Sequence, residues 1–418
     1  MRLVLITLAL LAYFTPPLQA SPLPLDEAVD IALKNHPSII EAKENLNGTV
    51  AKTGQALANY YPQITVAADW SKGRSFLTPI ENIRATEAHI DALYLRQTIY
   101  DFGRTAGAVT AARENRVAAT ESLAIARQDL TFRVKNAFYL LLATEKQVAA
   151  TGETVVAREA VYRQAQEFFT QGIRAKVDVA KARANLYAAR TALIRAENNR
   201  EIARVDLASA MGVPSLEGRT LIEPANDSAP LRERETALQD AFTKRAELKR
   251  LAALQMAAAA NLKTARSGYL PTLSATANIG YASRDFPPDG NVWGVGLNLT
   301  APLFSGFATV EQEKEALAAL RAVAARQSDQ RLQIVKDGAS AWLGIKEASA
   351  RMTSTAEEAD AARENKALAE GRYQEGVGSI IEVTDAQSQA LEADTAHIQA
   401  VYDYQVALAR LDRATGNE

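Results

Sequence analysis

Between Tyr269 and Tyr281 apolar and polar residues alternate. Leu273, Ala275, Ala277, Ile279 and Tyr281 fall on one face, and Thr272, Ser274, Thr276, Asn278 and Gly280 on the other. After Pro287-Pro288-Asp289-Gly290 the alternation resumes, with Trp293, Val295, Leu297, Leu299 and Ala301 set against Gly294, Gly296, Asn298 and Thr300. A period of two marks a strand, and two such runs about a Pro/Gly turn mark a hairpin, here spanning about 269–303. Each run has the length a tilted strand needs to cross a bilayer. One face is apolar and ends in aromatics while the other is small and polar, which suits a barrel wall with lipid outside and water inside. From this hairpin alone a half-buried hairpin on a soluble sheet is the better fit; the rest of the chain shifts the balance toward a barrel wall.

The same order of elements occurs twice. Thr98–Gly212 overlays Pro302–Gly416 at a constant offset of 204 residues without a gap, pairing Phe169 with Tyr373, Gly172 with Gly376, Ala182 with Ala386 and Leu207 with Leu411. Tyr60-Tyr61-Pro62 matches Tyr269-Leu270-Pro271. Two structural repeats therefore fill nearly the whole chain past residue 20. Each reads as helix, hairpin, long helix, tight turn, long helix.

In the first repeat, Leu25–Ala58 is expected to be one helix and Tyr60–Trp70 a strand. Residues 71–88 are expected to be a polar loop and roughly 89–100 the return strand, a hairpin of about 60–100. A long helix from Phe102 is expected to turn near Ala150–Gly152 and return through Met211, and its counterpart to turn near Ser354–Ala356. Asp101 and Ser305 stand at matching positions before the long helices, where a side-chain oxygen accepts from free backbone N–H groups; both are expected N-caps.

The return helices carry two heptad seams. One is Val179, Leu186, Leu193, Arg200 and Leu207, repeated as Val383, Ala390, His397, Tyr404 and Leu411. The other is Ala175, Ala182, Ala189, Ala196, Ala203 and Ala210, repeated as Ser379, Ala386, Ala393, Ala400, Ala407 and Ala414. Side chains this small let helix backbones approach closely. Residues 213–230, with four glycines or prolines at Pro214, Gly218, Pro224 and Pro230, read as an inter-repeat linker. The resulting domains are a signal at 1–20, a first repeat at 21–212 with its helix pair at 102–212, the linker at 213–230, and a second repeat at 231–416 with its helix pair at 305–416.

The signal is Arg2, an apolar run from Leu3 to Phe14 and then Leu18-Gln19-Ala20. The run is too short to span a bilayer as a helix. Residue 21 is serine, and the chain has no cysteine, so neither a lipidated end nor a disulfide is expected. A net charge of −2 gives no pull toward nucleic acid. The 48% hydrophobic content is largely alanine and aromatics are only 6%, which favours long, closely packed helices over a large globular core. Four strands cannot close a barrel, and an open edge in lipid leaves backbone groups unpaired, so the strands demand further copies of the chain.

The three histidines, His36, His89 and His397, are scattered, and no nucleophile set, metal spacing or phosphate loop is present. Neither an enzyme nor a cofactor or metal site is expected.

The segments LDEAVDIALKNHP (25–37), YYPQITV (60–66), QTIYDFG (97–103), FFTQGIRAKVDVAKA (168–182), APLFSGF (301–307) and RYQEGVGSIIEVTDAQ (372–387) make the chain resemble the TolC family of outer-membrane efflux proteins from Leu25 to Gly416. Ser305-Gly306-Phe307 departs from the two glycines often found there. The resemblance implies a mainly helical protein with β structure, in which each repeat pairs long antiparallel helices with a transmembrane β-hairpin. It implies a homotrimer whose 12-stranded β-barrel lies in outer-membrane lipid and continues as a periplasmic α-helical barrel. It also implies a passive exit duct in a tripartite efflux or type I secretion system, fed by a periplasmic adaptor protein and an inner-membrane pump of RND or ABC type. By the same resemblance, residues at the two helical turns meet the adaptor. With the turns placed as above, these are Gln147, Val148 and Gly152, and Arg351, Met352 and Thr353. Glu153, Glu357, Glu358 and Asp360 are expected either to narrow the mouth as an acidic ring or to balance a helix N-terminus. The competing expectation is a periplasmic coiled-coil adaptor or scaffold without a pore.

Overall fold

The computed structural model describes residues 21–76, 83–224 and 233–417. The expected signal at 1–20, the tip of the first hairpin at 77–82, and residues 225–232, which end the expected linker and begin the second repeat, lie outside these residues. The elements in order are β1 (Ser21–Leu23), α1 (Leu25–Asn35), α2 (Pro37–Ala58), β2 (Gln63–Phe76), β3 (Ile83–Tyr100), α3 (Arg104–Thr170) and α4 (Lys176–Met211). There follow β4 (Arg219–Leu221), α5 (Arg234–Lys244), α6 (Ala246–Arg266), β5 (Thr272–Ser283), β6 (Gly290–Thr300), α7 (Ala308–Gln374) and α8 (Ile380–Thr415). Each start and end of α3 and α4 recurs 204 residues later in α7 and α8. Among the described residues no helix is long and apolar enough to cross a membrane.

Residues 41–126 and 245–335 form one compact unit, built on an antiparallel sheet in the order β2-β3-β5-β6. The β3–β5 ladder joins the two hairpins, pairing Leu93 with Ile279 and Leu95 with Ala277. Its apolar face is bare: Val66 and Val295 are each 79% exposed, Trp293 74% and Leu297 71%. On the other face Ser274 is only 7% exposed, and Asn298 Nδ2 donates to Thr276 Oγ1 at 3.1 Å, while Gln63, Thr65, Arg96 and Thr300 are exposed. A broad apolar face left open to the surroundings is the reverse of a water-soluble sheet, which buries that face against a core.

Two expectations for this unit are corrected. Residues 71–76 and 83–88 are strand, not loop. The ladder runs on past the apolar band through Trp70–His89 and Lys72–Glu87, where Lys72 Nζ lies 2.9 Å from Glu87 Oε2. Beyond lipid both faces can be polar, so the period-two hydrophobic signal fades while the backbone pairing continues. The long helix also begins at Arg104, not Phe102. Phe102 (φ 54°) and Gly103 (φ 88°) are left-handed, as are Gly306 (φ 61°) and Phe307 (φ 68°). The two repeats thus hold the same two-residue twist with glycine and phenylalanine exchanged, and each leaves one phenylalanine in a region costly for a side chain.

Residues 21–40, 127–244 and 336–417 belong to the second unit. Here β1 pairs in parallel with β4, so the expected linker contains a strand. The single helix expected over Leu25–Ala58 is two, because Pro37 confines His36 to extended backbone (φ −67°, ψ 130°). His36 Nδ1 then accepts from Ser38 N at 3.2 Å. Both heptad seams lie inward for most of their length. Leu186, Leu207, Val383, Ala390 and Leu411 are buried, as are Ala182, Ala189, Ala203, Ala210, Ala386, Ala393, Ala400 and Ala414. Ala237, Ala341 and Ile345 pack with Leu411 and Ala414 in one cluster, and Val161, Ala165, Ala369 and Tyr373 pack with Ala182, Ile380 and Val383 in another.

Candidate functional site: the lipid-facing sheet and the helical turns

Just below the sheet, Asp101 accepts from the backbone N–H of Gly103 (3.1 Å) and of Thr105 (2.7 Å) through its two oxygens. Burial raises its pKa, but the bonds from Thr105, Gly103 and Arg104 outweigh burial and hold the carboxyl below its ordinary value. Ser305 Oγ accepts more weakly from Thr309 N at 3.4 Å. Both side chains reach the helix start from three residues before the first helical residue, across the left-handed pair. A depressed folded-state pKa stabilises above the unfolded value, and the benefit disappears as pH falls through the folded value. Asp101→Ala is therefore expected to cost about 1 kcal/mol at neutral pH. In urea titrations of the detergent-solubilised protein, the gap to wild type closes in acid.

The turns are not where the sequence pattern placed them. Gln147, Val148, Gly152 and Glu153 lie inside α3, and Arg351, Met352, Thr353, Glu357, Glu358 and Asp360 inside α7. Gly152 has open space around it and leaves the helix unbroken, since one interior glycine costs only about 1 kcal/mol. Two of the expected tip residues are nevertheless brought together through α8. Gln147 Nε2 donates to Gln399 Oε1 (3.3 Å), Gln399 Nε2 to Asp403 Oδ1 (2.8 Å), and Arg351 Nη2 meets Asp403 Oδ2 at 2.9 Å. Arg351 also pairs with Glu347 at 3.0 Å. All four acids, Glu153, Glu357, Glu358 and Asp360, are exposed, and Asp360 pairs with Arg363 at 2.7 Å.

The chain reverses at Gln171–Ala175 and again at Glu375–Ser379. Each helix ends on a left-handed glycine, Gly172 (φ 76°) and Gly376 (φ 77°). The following N–H reaches back five residues, Ile173 to Phe168 O at 2.9 Å and Val377 to Arg372 O at 3.1 Å. This is a Schellman ending, which satisfies carbonyls that the helix terminus leaves free. Ser379 and Glu382 then form a full capping box at the start of α8. The signal for all this was the matched Gly172 and Gly376, each three residues after an aromatic.

Arg174 joins the two turns, its Nη2 donating to Gly376 O at 2.8 Å and Gly378 O at 2.6 Å. Sequence reading missed this residue, because two carbonyls leave no side-chain signature. Bonds from a charged donor are worth more than neutral ones. Arg174→Ala is expected to speed amide hydrogen exchange at 376–379 by about thirtyfold, matching roughly 2 kcal/mol of local stability. Exchange in β5 stays unchanged.

In the second unit Tyr402 Oη donates to Glu223 Oε1 at 3.0 Å, and Lys146 Nζ meets Glu223 Oε2 at 3.1 Å. Burial first, and then the Glu223 carboxylate, raise the phenol's pKa. These contacts tie α8 and α3 to the segment after β4.

Residues 28–213 and 237–417 match the family model described as outer membrane efflux protein, one stretch for each repeat. The chain belongs to this family. It is 28% identical to Protein CyaE of Bordetella pertussis over 384 residues, covering 90% of this chain and 80% of that one. It is 26% identical to Outer membrane efflux protein BepC of Brucella suis over 397 residues, covering 92% and 83%. The outer-membrane channel OprN superposes with a TM-score of 0.84 at 18% identity, covering 94% of this chain and 90% of that one. The fold is TolC-like, and the apolar sheet face is accounted for by an outer-membrane location. Outer membrane efflux proteins are channels and not enzymes, and family membership removes the scaffold without a pore from consideration. The chain is an outer-membrane exit duct.

Proposed function

We propose that three copies join β6 of one to β2 of the next, forming one continuous 12-stranded barrel that conducts solutes passively out of the cell. The observation that carries this reading is the four-stranded sheet with an exposed apolar face and β2 and β6 at its edges. An edge strand in lipid has no water to satisfy its backbone groups. Four is an even number of strands, so β6 meets the next β2 antiparallel for any number of copies; three is the number the family resemblance supplies. The paired long helices extend the passage into the periplasm. The turns at 171–175 and 375–379, rather than the mid-helix residues first considered, meet a periplasmic adaptor that links the duct to an inner-membrane pump. The test is single-channel recording in planar bilayers. Discrete conductance steps from the purified protein support the reading, and a protein that inserts without conducting overturns it.

A further inference from the structure

On the polar face of the sheet, where β3, β5 and β6 meet the starts of α3 and α7, lies a cavity of about 620 Å³. It is lined by Arg96, Arg104, Thr272, Ser274, Thr300 and Thr309 among others, and no carboxylate lines it. Arg96 has no ion pair or hydrogen bond among the described residues. Arg104 gives one N–H to Ser267 O at 3.3 Å and keeps the rest of its donors. Ser274 is 7% exposed, and its hydroxyl also has no partner among the described residues. The Ser274 hydroxyl is therefore free to bond to whatever enters the cavity. Two guanidinium groups, the hydroxyls of Thr272, Ser274 and Thr300 and the Gln312 amide thus face one cavity with no carboxylate to balance the positive charge.

We propose that this cavity is a binding site for small oxyanions, taking the phosphate or carboxylate group of a solute. Guanidinium groups match the two-oxygen edge of either group. Arg96 and Arg104 supply the charge-assisted bonds and Ser274 a neutral one. The face that holds the cavity is the lumen face under the duct reading, on which the functional role of the site rests. There, each copy would place one such site beside the passage and favour anionic solutes over cationic ones.

The test is calorimetric titration of the full-length, detergent-solubilised assembly with inorganic phosphate and, separately, with acetate. Saturable binding of either anion is expected. Its affinity falls about tenfold in Arg96→Gln and in Arg104→Gln, the loss of one charge-assisted bond, and less in Ser274→Ala. Arg96→Lys, which keeps the charge but not the fork, lies between Arg96→Gln and wild type. Tighter phosphate than acetate assigns phosphate-bearing solutes; the reverse assigns carboxylates. Absence of saturable binding to both, or affinities unchanged in both glutamine variants while the assembly elutes at wild-type size, overturns the site. Conductance is scored separately: steps without anion binding sink the site alone, and binding without steps sinks the duct alone.

Discussion

Ile279→Arg is expected to keep the protein out of the outer-membrane assembly. Ile279 lies mid-strand on the apolar face of β5, opposite Leu93 and Trp293 and 58% exposed. Those neighbours form a surface that lipid covers, and an arginine near the bilayer midplane of a barrel costs about 2–4 kcal/mol in every copy. Asn278→Arg adds the same charge one residue earlier, on the opposite face. It leaves assembly intact and only narrows the passage. The measurement is gel mobility of outer-membrane fractions with and without heating: the oligomer band disappears in Ile279→Arg and persists in Asn278→Arg. On a water-bathed sheet the exposed apolar position would take the charge more readily.

Gly280→Val is expected to part the two hairpins. A Cβ at Gly280 would stand 2.2 Å from Asp91 O and 2.6 Å from Ala92 Cα, backbone atoms that cannot swing aside. The β3 and β5 strands must then separate at the ladder that, among the described residues, joins the two hairpins. Overpacking against backbone is placed at about 3 kcal/mol or more. Gly296→Ala, whose added carbon meets only Thr276 Oγ1 at 3.4 Å, is expected to stay within about 0.5 kcal/mol of wild type. Guanidinium unfolding of the solubilised protein, followed by tryptophan fluorescence, separates the two.

Where burial is periodic, the chain can be read directly. The hairpin faces, the alanine seams and the 204-residue repeat all rest on side chains that must alternate or recur to fit a packed surface. Ala203 and Ala400 are buried because a larger residue would hold their helices apart. The signals that fail are local and weak. Gly152 and the residues around Ser354 suggest a break, but a long helix packed by its neighbours outlasts one poor residue, and α3 continues to Thr170. The true turn depends on glycine in one backbone conformation at 172 and 376, visible only once the aligned repeats are read for helix endings. Pro37 does signal the break after α1. Arg174 and the cavity beside Arg96 leave no pattern, since both depend on which carbonyls and hydroxyls the fold brings near a guanidinium.

The central claim is that the sheet of one chain is incomplete and is finished by other copies. Native mass spectrometry of the detergent-solubilised protein tests it most directly. A complex of three chains, dissociating only under conditions that also disrupt the β structure, is the predicted result. A stable, folded single chain in the same detergent would contradict it.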